Sequence, residues 1–133
     1  MRKPAFVALA ALALVLAVVP FALAHDDHGH DHGTPAAAAG TWKGEIVDIA
    51  CYVPNGAKGA GHADCAKKCA KMGQPIALLT GDGDLLLLVA DHEDGKPFEA
   101  AKDLAGSNVE ITGEKESRDG MEIVTVTAVK PAA

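Results

Sequence analysis

The sequence predicts an all-β to α+β domain: a five-stranded OB-fold-like barrel with a short Cys/His-bearing helix inserted between strands one and two and another helix between strands three and four. Three observations predict it. Five short runs of β-branched and aliphatic residues are separated by Gly, Pro and Asp clusters. Two of the separations, Gly81-Asp82-Gly83 and Arg118-Asp119-Gly120, carry hairpin-turn chemistry. The two stretches of helical composition follow the first and third runs. A plain α+β sheet with two helices accommodates the same order and is the alternative.

In chain order, Trp42-Lys43-Gly44-Glu45-Ile46-Val47-Asp48-Ile49 combines β-branched residues with partial alternation and reads as the first strand. Residues 52–61 read as a Gly-rich loop. Residues 63–72 place Ala and Lys at helix-favouring positions, with Gly73 where a C-terminal cap belongs and Pro75 just beyond, and they predict a short helix. Residues 76–79 and 85–90 flank Gly81-Asp82-Gly83 as a hairpin. Residues 97–104 predict the second helix, opened by Pro97 and stopped by Gly106. Val109-Glu110-Ile111-Thr112-Gly113 and residues 121–129 alternate apolar and polar around Arg118-Asp119-Gly120, a closing hairpin. Asp82, Asp84, Asp91 and Asp94 fall at turns, where Asp bonds its local backbone, and they read as turn chemistry rather than as paired catalytic carboxylates. His92 reads as a solvated loop residue.

Ahead of this domain, Arg2 and Lys3 precede an uninterrupted apolar stretch over residues 5–19, and Ala22-Leu23-Ala24 has the small-x-small pattern of a signal-peptidase site. The expectation is a signal peptide over residues 1–24, cleaved between Ala24 and His25. An uncleaved anchor helix is the alternative, since the stretch approaches the roughly 20 residues that span a bilayer. Both readings put the rest outside the cytoplasm, because Arg2 and Lys3 hold the N-terminus inside. The expected location is periplasmic or secreted, with no stable membrane association after cleavage. Residues 25–40 are a His-rich tail and a Pro/Ala linker with no pattern to bury, expected to stay disordered, and the barrel domain spans residues 41–130.

The formal charge is −6, and cleavage makes it two units more negative by removing Arg2 and Lys3. An anionic domain repels phosphate backbones, and Trp42, Tyr52 and Phe98 are too few for a base-stacking platform, so nucleic acid is excluded as a partner.

His62, Cys65 and Cys69 stand at i, i+3 and i+7, within about 60° of one another on a helix of about 3.6 residues per turn. One face therefore presents an imidazole and two thiols. The same spacing spreads His62 and Cys69 about 10 Å along the axis, so one ion reaches both only if His62 lies in the bend before the helix. Gly59 and Gly61 permit that bend. Cys51, read at the end of the first strand, completes a Cys3His set, a tetrahedral zinc arrangement whose thiolates also suit copper(I). Met72 is either an extra soft ligand or a packing residue.

Two other readings of the cysteines stay open. In an exported protein three cysteines also fit one disulfide and one free thiol, with Cys51 joined to Cys65 or Cys69 and the insertion stapled to the barrel. A Cys65 to Cys69 bridge is less comfortable, because Cβ atoms one turn apart exceed the roughly 4 Å that a disulfide wants. A redox-active thiol is the third reading, with Lys67, Lys68 and Lys71 as the charges that would depress its pKa. The spacing is neither the C-x-x-C of thioredoxin-like enzymes nor the C-x-x-C-H of c-type haem attachment.

Gly44-Glu45-Ile46-Val47-Asp48 leading to Cys51-Tyr52, then His62-x-x-Cys65-Ala66-x-x-Cys69 and Gly73-x-Pro75, resemble a motif set of small exported bacterial OB-fold-like domains over residues 44–129. The resemblance implies a fold and a binding cluster, and it carries no catalytic residue.

The tail adds a second ligand set. His25, exposed by cleavage, can chelate copper(II) through its free amine and ring nitrogen, and His28, His30 and His32 add imidazoles beside Asp26, Asp27 and Asp31. Its affinity should follow the Irving–Williams order and loosen as pH falls through the imidazole pKa near about 6.5. The sequence thus predicts an exported transition-metal-binding protein, for copper or zinc, in trafficking, buffering or resistance, and it implies no reaction. A disulfide-stapled interaction module that contacts another exported protein, with no metal in its core, is the alternative, and a thiol redox protein the third.

Overall fold

Along β4 (Asn108–Arg118), Val109 and Ile111 are buried while Asn108, Thr112 and Glu114 are exposed, the two-residue alternation of a sheet with one wet face. Val124 and Val126 of β5 (Met121–Pro131) are buried in the same way. The turn between these strands places Asp119 and Gly120 at φ 51° and 83°, a left-handed pair whose twist matches the flanking strands.

The computed structural model describes residues 37–133. β1 (Ala38–Asp48), β2 (Ile76–Thr80) and β3 (Leu85–Ala90) join β4 and β5 in a closed barrel of order β1-β2-β3-β5-β4, closed by β1 pairing with β4. β3 and β5 run parallel and the other pairs antiparallel. This is an OB-fold-like barrel, as the order of runs predicts. At Gly44, β1 pairs with Thr80 on one side and Val109 on the other, and a Cβ there would run into the Leu79 carbonyl oxygen. Ile46, Ile76, Leu78, Val109, Ile111, Val124 and Val126 fill the interior, with Trp42, Phe98, Leu104 and Val129 packed around them.

Three helices accompany the strands: α1 (Ile49–Asn55), α2 (Ala63–Lys71) and α3 (Lys96–Asp103). α3 lies between β3 and β4 in sequence and packs on β3 and β5, inside the crossover that a parallel pair requires. Two features differ from the expectation. The insertion between the first two strands holds two helices rather than one, because residues expected to open a loop form α1. β1 also begins at Ala38, inside the segment read as linker, because Ala38, Ala39 and Gly40 pair through backbone alone with Lys115, Glu114 and Gly113. The expected signal peptide (residues 1–24) and His/Asp tract (residues 25–33) lie outside the described residues. Among the described residues no helix is long and apolar enough to cross a membrane.

Across three neighbouring strands, Glu110 receives Lys130 at 2.7 Å and Lys43 at 3.5 Å. The Lys130 hydrogen bond, more than the surrounding charges, holds its carboxyl below the ordinary glutamate range. A folded-state value below the unfolded one contributes stability at neutral pH, and that stability is lost as pH falls from about 4.3 through the folded value. Both lysines are largely exposed, so the effect is small. Thermal midpoints of Glu110→Gln followed against pH should lie slightly below wild type at neutral pH and converge with it in acid. Parallel curves would show that the pair contributes nothing.

Candidate metal centre

Asp48 ends β1 and starts α1. Its backbone is extended (φ −81°, ψ 128°), and its Oδ1 accepts the Cys51 N–H at 2.9 Å, as an N-cap carboxylate does for one of the orphan donors of a first turn. The Ile49 N–H donates to the Pro75 carbonyl at 3.0 Å, tying α1 to the chain that enters β2. Gly56, left-handed at φ 65°, ends the helix by donating to the Tyr52 carbonyl at 2.7 Å. Cys51 therefore belongs to the first turn of α1 and not to the end of the first strand.

α2 buries Ala66 and Ala70, one turn apart, against the barrel, and this sets Cys65 and Cys69, also one turn apart, on the adjoining stripe. Its end is closed by Gly73 and Gln74, whose N–H groups donate to the carbonyls of Ala70 and Cys69 at 3.1 and 3.0 Å, the arrangement that Gly73 predicts. His62 is the N-cap residue, in the bend before the helix, with its N–H on the Gly59 carbonyl at 2.9 Å. The Glu45 carboxylate accepts the Gly59 N–H and anchors this turn to β1.

These elements bring together two overlapping groups. The ligand atoms of Cys51, Cys65 and Cys69 lie within 4.8 Å of one another, and so do those of Asp48, Cys51 and His62. Cys51 is common to both. The imidazole meets Asp48 and Cys51, rather than all three sulfurs in a single four-residue group. Asp48 is fully buried, and its Oδ2 lies 3.1 Å from His62 Nε2. Burial, a hydrogen bond to Asp48 and the Asp48 charge push the Cys51 thiol up to about 11. Burial, then its hydrogen bond with Cys65, pushes Cys69 upward as well. Both shifts favour the neutral thiol at Cys51 and Cys69. A metal ion reverses that balance, since it binds thiolates and displaces their protons.

Of the residues expected to bind metal, Cys51, His62, Cys65 and Cys69 meet in this cluster, whereas His25, His28, His30 and His32 lie outside the described residues. All three cysteines are free thiols. Met72 is 65% exposed, so it does not pack. His92 is exposed in its loop, where the Asp91 carboxylate accepts the N–H groups of Glu93 and Asp94 at 2.7 and 3.2 Å, which is turn chemistry. Asp48 is the site residue that the sequence reading passes over. Its signal is an Asp immediately before a helix start, masked because the residues after it read as strand and loop.

Barrel and cluster define a class: a small OB-fold-like domain whose helical insertion carries a Cys/His/Asp cluster able to hold a metal ion. No family model, curated protein or solved structure matches the chain.

Proposed function

We propose that this protein is exported to the periplasm or beyond and binds a transition metal, copper or zinc, in trafficking, buffering or resistance. The observation that carries the reading is the convergence of three thiols from two helices within 4.8 Å, beside an imidazole held by a buried carboxylate. Three soft donors suit copper(I), and the overlapping group of Asp48, Cys51 and His62 offers carboxylate, thiolate and imidazole donors that suit zinc. The basic, apolar and Ala-Leu-Ala segments of residues 1–24 support export, and the four tail histidines support a second, less selective ligand set. No reaction is assigned. An activated nucleophile needs a depressed pKa, and the Cys51 thiol, pushed up to about 11, stands on the wrong side of the ordinary value near about 8.5.

The same proximity favours one other reading, an oxidised pair between Cys51 and Cys65 or Cys69 in an interaction module that contacts another exported protein. Native mass spectrometry of the mature protein, with denaturing thiol alkylation, separates the two. The metal reading expects one tightly held ion and three alkylatable thiols. A mass two hydrogens light with one alkylatable thiol and no core metal would replace it by the stapled module. Deleting residues 25–32 should remove only weakly held metal, leaving the cluster ion in place; complete loss of metal with the tail would restrict binding to the tail.

A further inference from the structure

We infer that the cluster is two alternative metal sites sharing one sulfur: copper(I) is held by Cys51, Cys65 and Cys69, zinc by Asp48, Cys51 and His62, and each ion displaces the other because both draw on Cys51. The inference rests on the metal-binding reading above and assigns each ion its own donors.

The donors divide in space as they divide in chemistry. The sulfurs of Cys51, Cys65 and Cys69 lie within 4.8 Å of one another, and the ligand atoms of Asp48, Cys51 and His62 do so as a separate group. Among the described residues the two groups do not merge into one of four. An ion about 2.3 Å from each of three sulfurs holds them about 4 Å apart, inside that limit. The first group is all thiol, and soft thiolates select copper(I). The second offers carboxylate, thiolate and imidazole, each an ordinary zinc ligand. Here Oδ2 of Asp48 and Nε2 of His62 stand 3.1 Å apart, and two donors about 2.0–2.1 Å from one tetrahedral ion stand about 3.3 Å apart. Oδ1 is occupied by the Cys51 N–H at 2.9 Å, which leaves Oδ2 as the oxygen for an ion and fixes the backbone of the shared cysteine.

The helices impose the division. Cys65 and Cys69 stand one turn apart on α2, whereas Asp48 and Cys51 belong to the start of α1 and His62 to the bend before α2. A thiolate that donates to one cation is a weaker donor to a second, and two cations on one sulfur repel. Binding of either ion therefore opposes the other, and by linkage the opposition is mutual. Copper(I) should win the exchange, because three thiolates complete its set while zinc on three protein ligands keeps a position open.

The test is alkylation of the reduced mature protein, read cysteine by cysteine by peptide mass spectrometry, so that metal on the tail histidines does not enter the footprint. Relative to metal-free protein, zinc should slow alkylation of Cys51 and leave Cys65 and Cys69 near their metal-free rates, and copper(I) should slow all three. After a weak chelator has stripped the tail, one equivalent of copper(I) added to the zinc-loaded protein should extend protection to Cys65 and Cys69 and release one zinc to a chromophoric chelator. Zinc protection that reaches Cys65 and Cys69 or misses Cys51, copper(I) protection that omits any of the three, or full copper(I) protection without release of zinc overturns the inference and leaves the metal-binding reading standing. If neither ion protects any thiol, both fall.

Two substitutions supply the second arm. His62 makes no side-chain capping bond and Cys65 is exposed, so both variants should fold, which thermal midpoints check. His62→Gln should weaken zinc at Cys51 about 10-fold or more with copper(I) affinity kept, and Cys65→Ser should weaken copper(I) with zinc affinity kept. Equal losses for both ions in either variant would mean one common site and would overturn the inference.

Discussion

Cys51→Ser loses metal binding at the cluster more completely than replacement of either other cysteine. Cys51 is the residue common to both ligand groups, so its removal leaves Cys65 and Cys69 alone on one helix and separates them from Asp48 and His62. Cys65→Ser, at an exposed position, leaves Asp48, Cys51 and His62 assembled. Groups that merely orient ligands are worth about 10- to 100-fold in affinity, so loss of the shared ligand should exceed about 100-fold. Competition against a chromophoric chelator, with copper(I) or zinc under reducing conditions, measures it. The fold should persist, because α1 buries no side chain fully. Equal affinity in Cys51→Ser and wild type would remove the cluster from consideration as a metal site.

Gly106→Ala should give a large loss of stability for a single methyl group, and it should disturb the centre as well. Gly106 has φ +78°, a conformation that costs an L-residue about 1–2 kcal/mol. Its Cβ would stand 2.7 Å from the Cβ of Ala63, the first residue of α2, and closer still to the Ala63 backbone. Its own N–H donates to the Ile46 carbonyl at 2.7 Å, so the Gly106 backbone is pinned to β1 and α2 must give way. Domains of this size lose about 4–8 °C of midpoint per kcal/mol, and a fall of about 10 °C or more is expected. Because α2 carries Cys65 and Cys69 and follows directly on His62, metal affinity should fall with it. Gly61→Ala is the control, since a Cβ there meets open space at an ordinary φ. A midpoint unchanged in Gly106→Ala would mean that α2 is not held against this turn.

Much of the barrel was legible because its signals are local. Val109 and Ile111 alternate with polar neighbours, Asp119-Gly120 dictates a two-residue hairpin, and Gly73 closes α2 where a glycine belongs. Three of the four expected cluster ligands, His62, Cys65 and Cys69, were legible from helical spacing, and the bend that His62 needs was legible from Gly59 and Gly61. α1 was not. Its seven residues include the β-branched Val53 and an internal Pro54, a composition that resists helix in isolation, and it forms where the Asp48 cap and the bond from Ile49 to Pro75 hold its first turn.

By itself the sequence determined which residues alternate, where the chain turns and which side chains carry soft donors, all properties of neighbours within about two helical turns. Tertiary structure alone decided that β1 closes on β4, that Ala38–Gly40 joins the barrel through backbone, and that Asp48 meets His62 across 14 positions of sequence. The reason is physical. Periodicity states which face of an element is buried but not what covers it, and an Asp at a strand end reads as solvated until partners such as the Cys51 N–H and the His62 ring let it be buried as a charge.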